Sequence, residues 1–205
     1  MMKSDFSEAL ILFKTGKLNE ATNICEKILK EEKNNSQVYN LYAFILYSLK
    51  EFNEAIINFN KAIKIKPDYF EAYNGRGNAF SKLKKFDEAI INFNQAIKIN
   101  PNYFEAYSNL GSTLIKLEKF DEAIINFNKA IKIKPDFAQA YHGKAYALMK
   151  SIKFDEAIIN FNKALKINPN YASAYNNMGS SFYEIGQWEE ASNCYIKTLE
   201  INPNH

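Results

Sequence analysis

The sequence predicts an all-α fold, an α-solenoid of antiparallel helix pairs. Three observations carry that prediction. The five prolines, Pro67, Pro101, Pro135, Pro169 and Pro203, each stand 34 residues from the next. Between them, apolar residues recur at i, i+3, i+4 and i+7, which places them on one stripe of an α-helix. Each period holds two such stripes, and a fixed period of this length marks a repeat architecture.

The repeats run 2–35, 36–69, 70–103, 104–137, 138–171 and 172–205, with no linker between them. The clearest, Phe104 to Phe137, gives the numbering, with Phe104 at position 1 and Pro135 at position 32. Its first helix, A, covers roughly positions 1 to 14 and carries Tyr107, Leu110, Gly111 and Leu114 on its stripe. The second helix, B, begins near Asp121 and Glu122, whose carboxylates suit the positive end of the helix dipole. It buries Ala123, Ile124, Phe127, Ala130 and Ile131. Pro135 ends it, because a proline inside a helix loses an N–H and clashes with the preceding turn, at about 3 kcal/mol.

Tyr107, Leu110, Gly111, Leu114, Ala123, Phe127, Ala130 and Pro135 resemble the tetratricopeptide repeat (TPR) signature, position for position. The resemblance covers essentially the whole chain as a single array, 1–205. It implies a right-handed superhelix that acts as a protein-interaction scaffold.

The two end repeats depart from the pattern. The first keeps Ala9, Leu12, Ala21 and Ile28 but has Asp5 at position 4 and Lys33 at position 32, as expected of a capping repeat. The last has Ser192, Tyr195 and Thr198 where earlier repeats carry isoleucine, phenylalanine and alanine, and these are expected to make its outer face polar. Three readings stay open: a self-capping last repeat, a piece of a longer protein, or end-to-end pairing.

Composition narrows the class. The chain is 47% hydrophobic and 24% charged, enough for a sizeable core, here a continuous seam. Seven glycines and five prolines are too few for a disordered chain. No apolar run approaches the ~18 residues of a membrane helix, so no membrane association is expected. The start, MMKSDFSEALILF, carries acids that a signal peptide would not. Cys25 and Cys194 fall in the first and last repeats, too far apart to pair, which points to a reducing compartment and a cytoplasmic location. The net charge of +3 is too mild to imply a polyanion partner.

At 100° per residue, positions 2, 5, 6, 9, 12 and 13 of helix A point away from the 4, 7, 8, 11 stripe. In the TPR family they line the concave groove that binds extended peptides. The candidate peptide-binding residues here are Asn74, Asn78, Lys82, Ser108, Asn109, Ser112, Lys116, His142, Tyr146, Lys150, Asn176 and Asn177. Asparagine both donates and accepts, so a ladder of them can hold a peptide backbone without demanding a side chain. Asn109 and Asn177 resemble the asparagine ladder of the TPR region of O-GlcNAc transferase, and Gly75 and Gly143 interrupt it. Lys82, Lys116 and Lys150 share position 13 and favour an acidic ligand, each exposed pair contributing at most ~1 kcal/mol. The clamp that grips the carboxylate of heat-shock chaperones needs lysine at position 5, and none stands there, so that activity is disfavoured.

Position 7 is Arg76 and Lys144 in alternate repeats, each after a glycine, which reads as a long stem packing inward with its head snorkelling out. Position 22 is Ile57, Ile91, Ile125 and Ile159, an apolar strip away from the helix B core and a candidate convex interface. If the chain pairs with itself, that strip and the C-terminal end are where the sequence places the contact.

No enzyme constellation stands out, and no catalytic, metal or cofactor residue is expected. His142 and His205 are the two histidines, too few for a metal cluster or a Ser/His/Asp arrangement. Gly75-Arg76-Gly77 lies inside a helix, so it is no phosphate loop. RNA binding is disfavoured by the 34-residue proline period and the single arginine. The expected function is a non-catalytic scaffold that holds an extended, acidic segment of a protein partner. The alternative is a self-assembly or targeting module of a longer protein, such as a glycosyltransferase-type enzyme.

Overall fold

The computed structural model describes residues 2–203, and their side chains from residue 5. His205, the second histidine, lies outside the described residues. Twelve helices and no strand are found among the described residues. In chain order they are α1 (Met2–Lys14), α2 (Leu18–Glu31), α3 (Ser36–Ser48), α4 (Phe52–Ile65), α5 (Phe70–Lys82), α6 (Phe86–Ile99), α7 (Phe104–Lys116), α8 (Phe120–Ile133), α9 (Ala138–Lys150), α10 (Phe154–Ile167), α11 (Ala172–Glu184) and α12 (Trp188–Ile201). Odd-numbered helices are the A helices of the repeats, and even-numbered helices are the B helices. None is long and apolar enough to cross a membrane, among the described residues.

The chain divides into two compact units, residues 1–101 (α1–α6) and 102–205 (α7–α12). In the first unit each A helix packs on its own B helix, and α3 and α5 pack also on the B helix before them. In the second unit α9 packs on α10 and α8, and also touches α7 and α11. The centre of each of the four middle repeats is the phenylalanine at position 24, and Phe59, Phe93, Phe127 and Phe161 are all fully buried. Alanine or glycine at positions 8, 20 and 27 lets the helices close around these rings. Phe127 shows how tightly: a Cβ on Gly111 of its own A helix would stand 3.0 Å from the ring, and one on Gly143 of the next would overlap it. Gly75 meets Phe59 and Phe44 in the same way. The glycines that interrupt the asparagine ladder are therefore explained by close packing of the preceding ring.

Every A–B turn closes through one residue with positive φ at position 15. Gly16 and Gly186 supply it at the ends, but Lys50, Lys84, Glu118 and Ile152 supply it between. The turn is a Schellman motif. The Glu51 N–H donates to the Leu46 carbonyl (2.9 Å) and the Lys50 N–H to the Tyr47 carbonyl (3.0 Å), with equivalents at the other turns. The sequence gives no sign of this at the four non-glycine turns.

The end repeats solve their ends differently. Where later repeats place proline, the first has Lys33, and Asn35 caps α3 by accepting from the Val38 N–H (3.1 Å). At the other end Ser192 is exposed as expected, whereas Thr198 is buried at 2% exposure. Its hydroxyl donates to the Cys194 carbonyl (3.0 Å), which satisfies it within the helix and removes it from the surface. Ile196, Leu199 and Trp188 are exposed instead. The outer face of α12 is mixed rather than polar.

Candidate functional site

The candidate groove is the A-helix face, and it is narrower than a helical wheel implies. A wheel assumes one buried side. Here an A helix meets two B helices and its A neighbours, so the buried arc widens to include position 5. Asn74 and Ser108, expected on the open face, are buried at 5% and 7% exposure. Asn78 is half-buried and Lys82 exposed on α5.

In the second unit α7, α9 and α11 lie side by side, so residues at equal repeat positions share a face. Ser112, Lys116 and Lys150 are exposed, and Asn109, His142, Tyr146, Asn176 and Asn177 are half-buried. The Lys150 ammonium stands 5.5 Å from the centre of the Tyr146 ring, one helical turn back. That pair offers an apolar plate with a cationic rim.

His142 has become a joint between repeats. Its ring lies between Phe161 (5.7 Å) and Tyr171 (4.7 Å). Its Nε2 stands 3.1 Å from the Asn177 side-chain nitrogen. In the neutral tautomer protonated at Nδ1, Asn177 donates to Nε2. Burial pushes the His142 pKa below the ordinary imidazole value, and a hydrogen bond with the Ser173 backbone acts weakly against it. One N–H of the half-buried Asn177 amide is therefore engaged inside the protein.

Arg76 does not snorkel. Its guanidinium donates to Asn92 Oδ1 (2.6 Å) and Asn60 Oδ1 (2.5 Å) and stacks over Tyr73 at 5.2 Å, so it ties α5 to α4 and α6. The tyrosine at position 4 has a cation over it in neighbouring repeats as well: Lys61 over Tyr39, Lys129 over Tyr107 and Lys163 over Tyr141. Those lysines occupy position 26. In the third repeat that position is Gln95, and Arg76 fills the slot from position 7. Reading the repeats against one another at positions 4, 7 and 26 exposes this exchange.

The position-22 isoleucines, Ile57, Ile91, Ile125 and Ile159, are all exposed.

Known proteins give the same architecture. A model described as tetratricopeptide repeat matches 70–103, 104–137 and 172–205, and one described as TPR repeat matches 45–84 and 153–186. A model of anaphase-promoting complex, cyclosome, subunit 3 matches 3–62. No curated protein is matched. Among solved structures, PilW, a widely conserved type IV pilus biogenesis factor, is 23% identical with a TM-score of 0.89, covering 99% of this chain and 94% of that one. Pseudomonas aeruginosa PilF is 15% identical with a TM-score of 0.86, covering 99% and 92%. YrrB, described as a TPR protein with an unusual peptide-binding site, is 25% identical with a TM-score of 0.67, covering 88% and 93%. With the period, the helix pairs and the repeat-by-repeat matches in agreement, the chain belongs to the tetratricopeptide repeat family.

Proposed function

We propose that this protein is a non-catalytic, cytoplasmic scaffold whose A-helix face binds an extended acidic segment of a protein partner. The observation that carries this is the pair of exposed lysines, Lys116 and Lys150, at one repeat position on the adjacent helices α7 and α9. Ser112 and Tyr146 lie on the same face, with Asn109 beside them, and supply a hydroxyl and a flat apolar surface. Lys82 holds the same repeat position on α5. The likeness to YrrB supports a peptide as the ligand class. The unbroken proline period supports a single array over 1–205. Two buried free thiols, Cys25 and Cys194, suit a reducing compartment.

The test is selection from a randomised decapeptide library on the full chain, followed by fluorescence anisotropy with the selected peptides. Acidic sequences are expected to enrich. Lys116→Glu combined with Lys150→Glu is expected to weaken them about tenfold or more, because two attractive pairs of up to ~1 kcal/mol each become repulsive. Enrichment of neutral or basic peptides, or affinities unmoved by the double reversal, would sink the acidic-ligand reading.

A further inference from the structure

The B helices carry a charge pattern that the groove does not use. On α8, Ile125 is 54% exposed, with Asp121 four residues before it and Lys129 four residues after. On α10, Ile159 is 55% exposed, with Asp155 and Lys163 at the same offsets. All four charged residues are exposed. An offset of four returns to the same side of a helix, so each helix carries acid, isoleucine and base along one side with the isoleucine midway, and the exposed Lys129 and Lys163 also reach over Tyr107 and Tyr141. In the first unit α4 and α6 each have half the pattern: Asn53 replaces the acid before Ile57, and Gln95 replaces the lysine after Ile91.

We propose that the α8–α10 face is a self-docking surface on which a second copy of this chain lies with its helices antiparallel. The charges select both occupant and direction. Because the isoleucine is central, reversing the helix direction about it sets Asp121 against Lys129 of the second copy, and Asp155 against Lys163. Parallel pairing would set acid on acid and lysine on lysine. A two-fold axis running across the helices satisfies both stripes at once and makes the contact isologous, the same patch on each copy. The apolar strip then meets its own equivalent. Two helices bury less than the ~1,600 Å² of a standard interface, so the dimer is weak and forms at high concentration. The surface is distinct from the A-helix groove, and this inference does not depend on peptide binding.

Sedimentation velocity of the full chain, from about 1 µM to about 0.5 mM, tests it. The native chain is expected to shift from monomer to dimer within that range. Ile125→Lys with Ile159→Lys should move the midpoint up at least tenfold, and the milder Ile125→Gln with Ile159→Gln should move it the same way. Asp121→Lys with Asp155→Lys should weaken pairing, as should Lys129→Glu with Lys163→Glu. An equimolar mixture of those two charge variants should recover the dimer, since each acid again faces a base. Lys116→Glu with Lys150→Glu should leave it untouched. A chain that is monomeric throughout overturns the proposal. So does a dimer indifferent to the isoleucine changes, one lost with the groove lysines, or a mixture that fails to recover.

Discussion

The third and fifth repeats share one helix A pattern, Tyr-Asn-Gly-Arg in one and Tyr-His-Gly-Lys in the other, and they use it differently. In both, the glycine admits the ring of the preceding phenylalanine, Phe59 onto Gly75 and Phe127 onto Gly143. The residues on either side then diverge. Arg76 satisfies two asparagines and a tyrosine face with one planar fork. Lys144 has no comparable fork to offer. Burial lowers its pKa, Lys163 lowers it further, and Glu156 acts the other way. Position 5 is a buried Asn74 in the third repeat and a ring-stacked His142 in the fifth. The glycine–ring contact is the common mechanical part of the solenoid. The flanking positions are free to become a clamp in one place and a titratable joint in another.

The largest test of that division removes the common part. Phe59→Ala and Phe127→Ala should each cost about 3–5 kcal/mol, because a buried ring leaves a cavity that rigid helices cannot close. Urea unfolding followed by far-UV circular dichroism measures both. A loss under about 1 kcal/mol in either would mean that the seam relaxes, and that the glycines are not there to admit the ring. Arg76→Lys comes next, at about 1.5–3 kcal/mol, since Asn92 Oδ1 is buried and a lysine cannot reach both asparagines at once. The reciprocal Lys144→Arg should cost nothing measurable, and an equal loss at both sites would erase the contrast between the repeats.

Much of this fold is legible in the sequence because its causes are local and repeated. Proline at position 32 and acids at the start of helix B mark helix ends, and the alanine, glycine and phenylalanine positions mark the seam. The groove is less legible. Asn74 and Ser108 look like surface residues because a wheel cannot see the neighbouring helices that bury them. Asn177 looks like a fully open ladder rung until its amide N–H is found donating to His142 Nε2 of the preceding repeat. Thr198 looks like an exposed polar cap until its hydroxyl is seen to bond back to the Cys194 carbonyl. In each case the deciding partner is a backbone group or a residue of another repeat, and periodicity does not encode it.

The turns of the same two repeats give a smaller and opposite effect. Lys84 (φ 60°) and Ile152 (φ 62°) both sit in the left-handed region that glycine adopts without strain. Left-handed backbone costs a side-chain-bearing residue roughly 1–2 kcal/mol, and β-branching makes Ile152 the worse case. Ile152→Gly should therefore stabilise the protein by about 1 kcal/mol, after allowing for the entropy glycine adds to the unfolded chain, and Lys84→Gly by less. Thermal unfolding of the two variants side by side decides it. Equal shifts would mean that β-branching adds no strain at this turn.

The finest difference is the one that responds to pH. His142 is held neutral by burial, so its pKa in the folded protein lies below the ordinary 6.5 of the unfolded chain. Above about pH 6.5 neither state carries the proton, and the His142–Asn177 joint contributes in full. As pH falls through 6.5, the unfolded chain takes up a proton that the folded chain resists. Stability is lost from there down to the depressed folded value, below which both states are protonated and the loss stops. The third repeat has Asn74 at this position and no such dependence. His142→Asn should therefore flatten the fall in unfolding midpoint between about pH 7 and pH 5 relative to the native chain, while Asn74→Ala leaves the slope of that fall unchanged. Carboxylates titrate in both proteins, so the difference between the two curves isolates the imidazole. Trp188, the single tryptophan, reports on the unit that contains His142, and its ring stands edge-on to Tyr183 at 4.9 Å. Parallel curves for the native chain and His142→Asn would mean that the imidazole is as free to charge in the folded state as in the unfolded one. The ring stack and the Asn177 donor would then hold it in place without setting its charge.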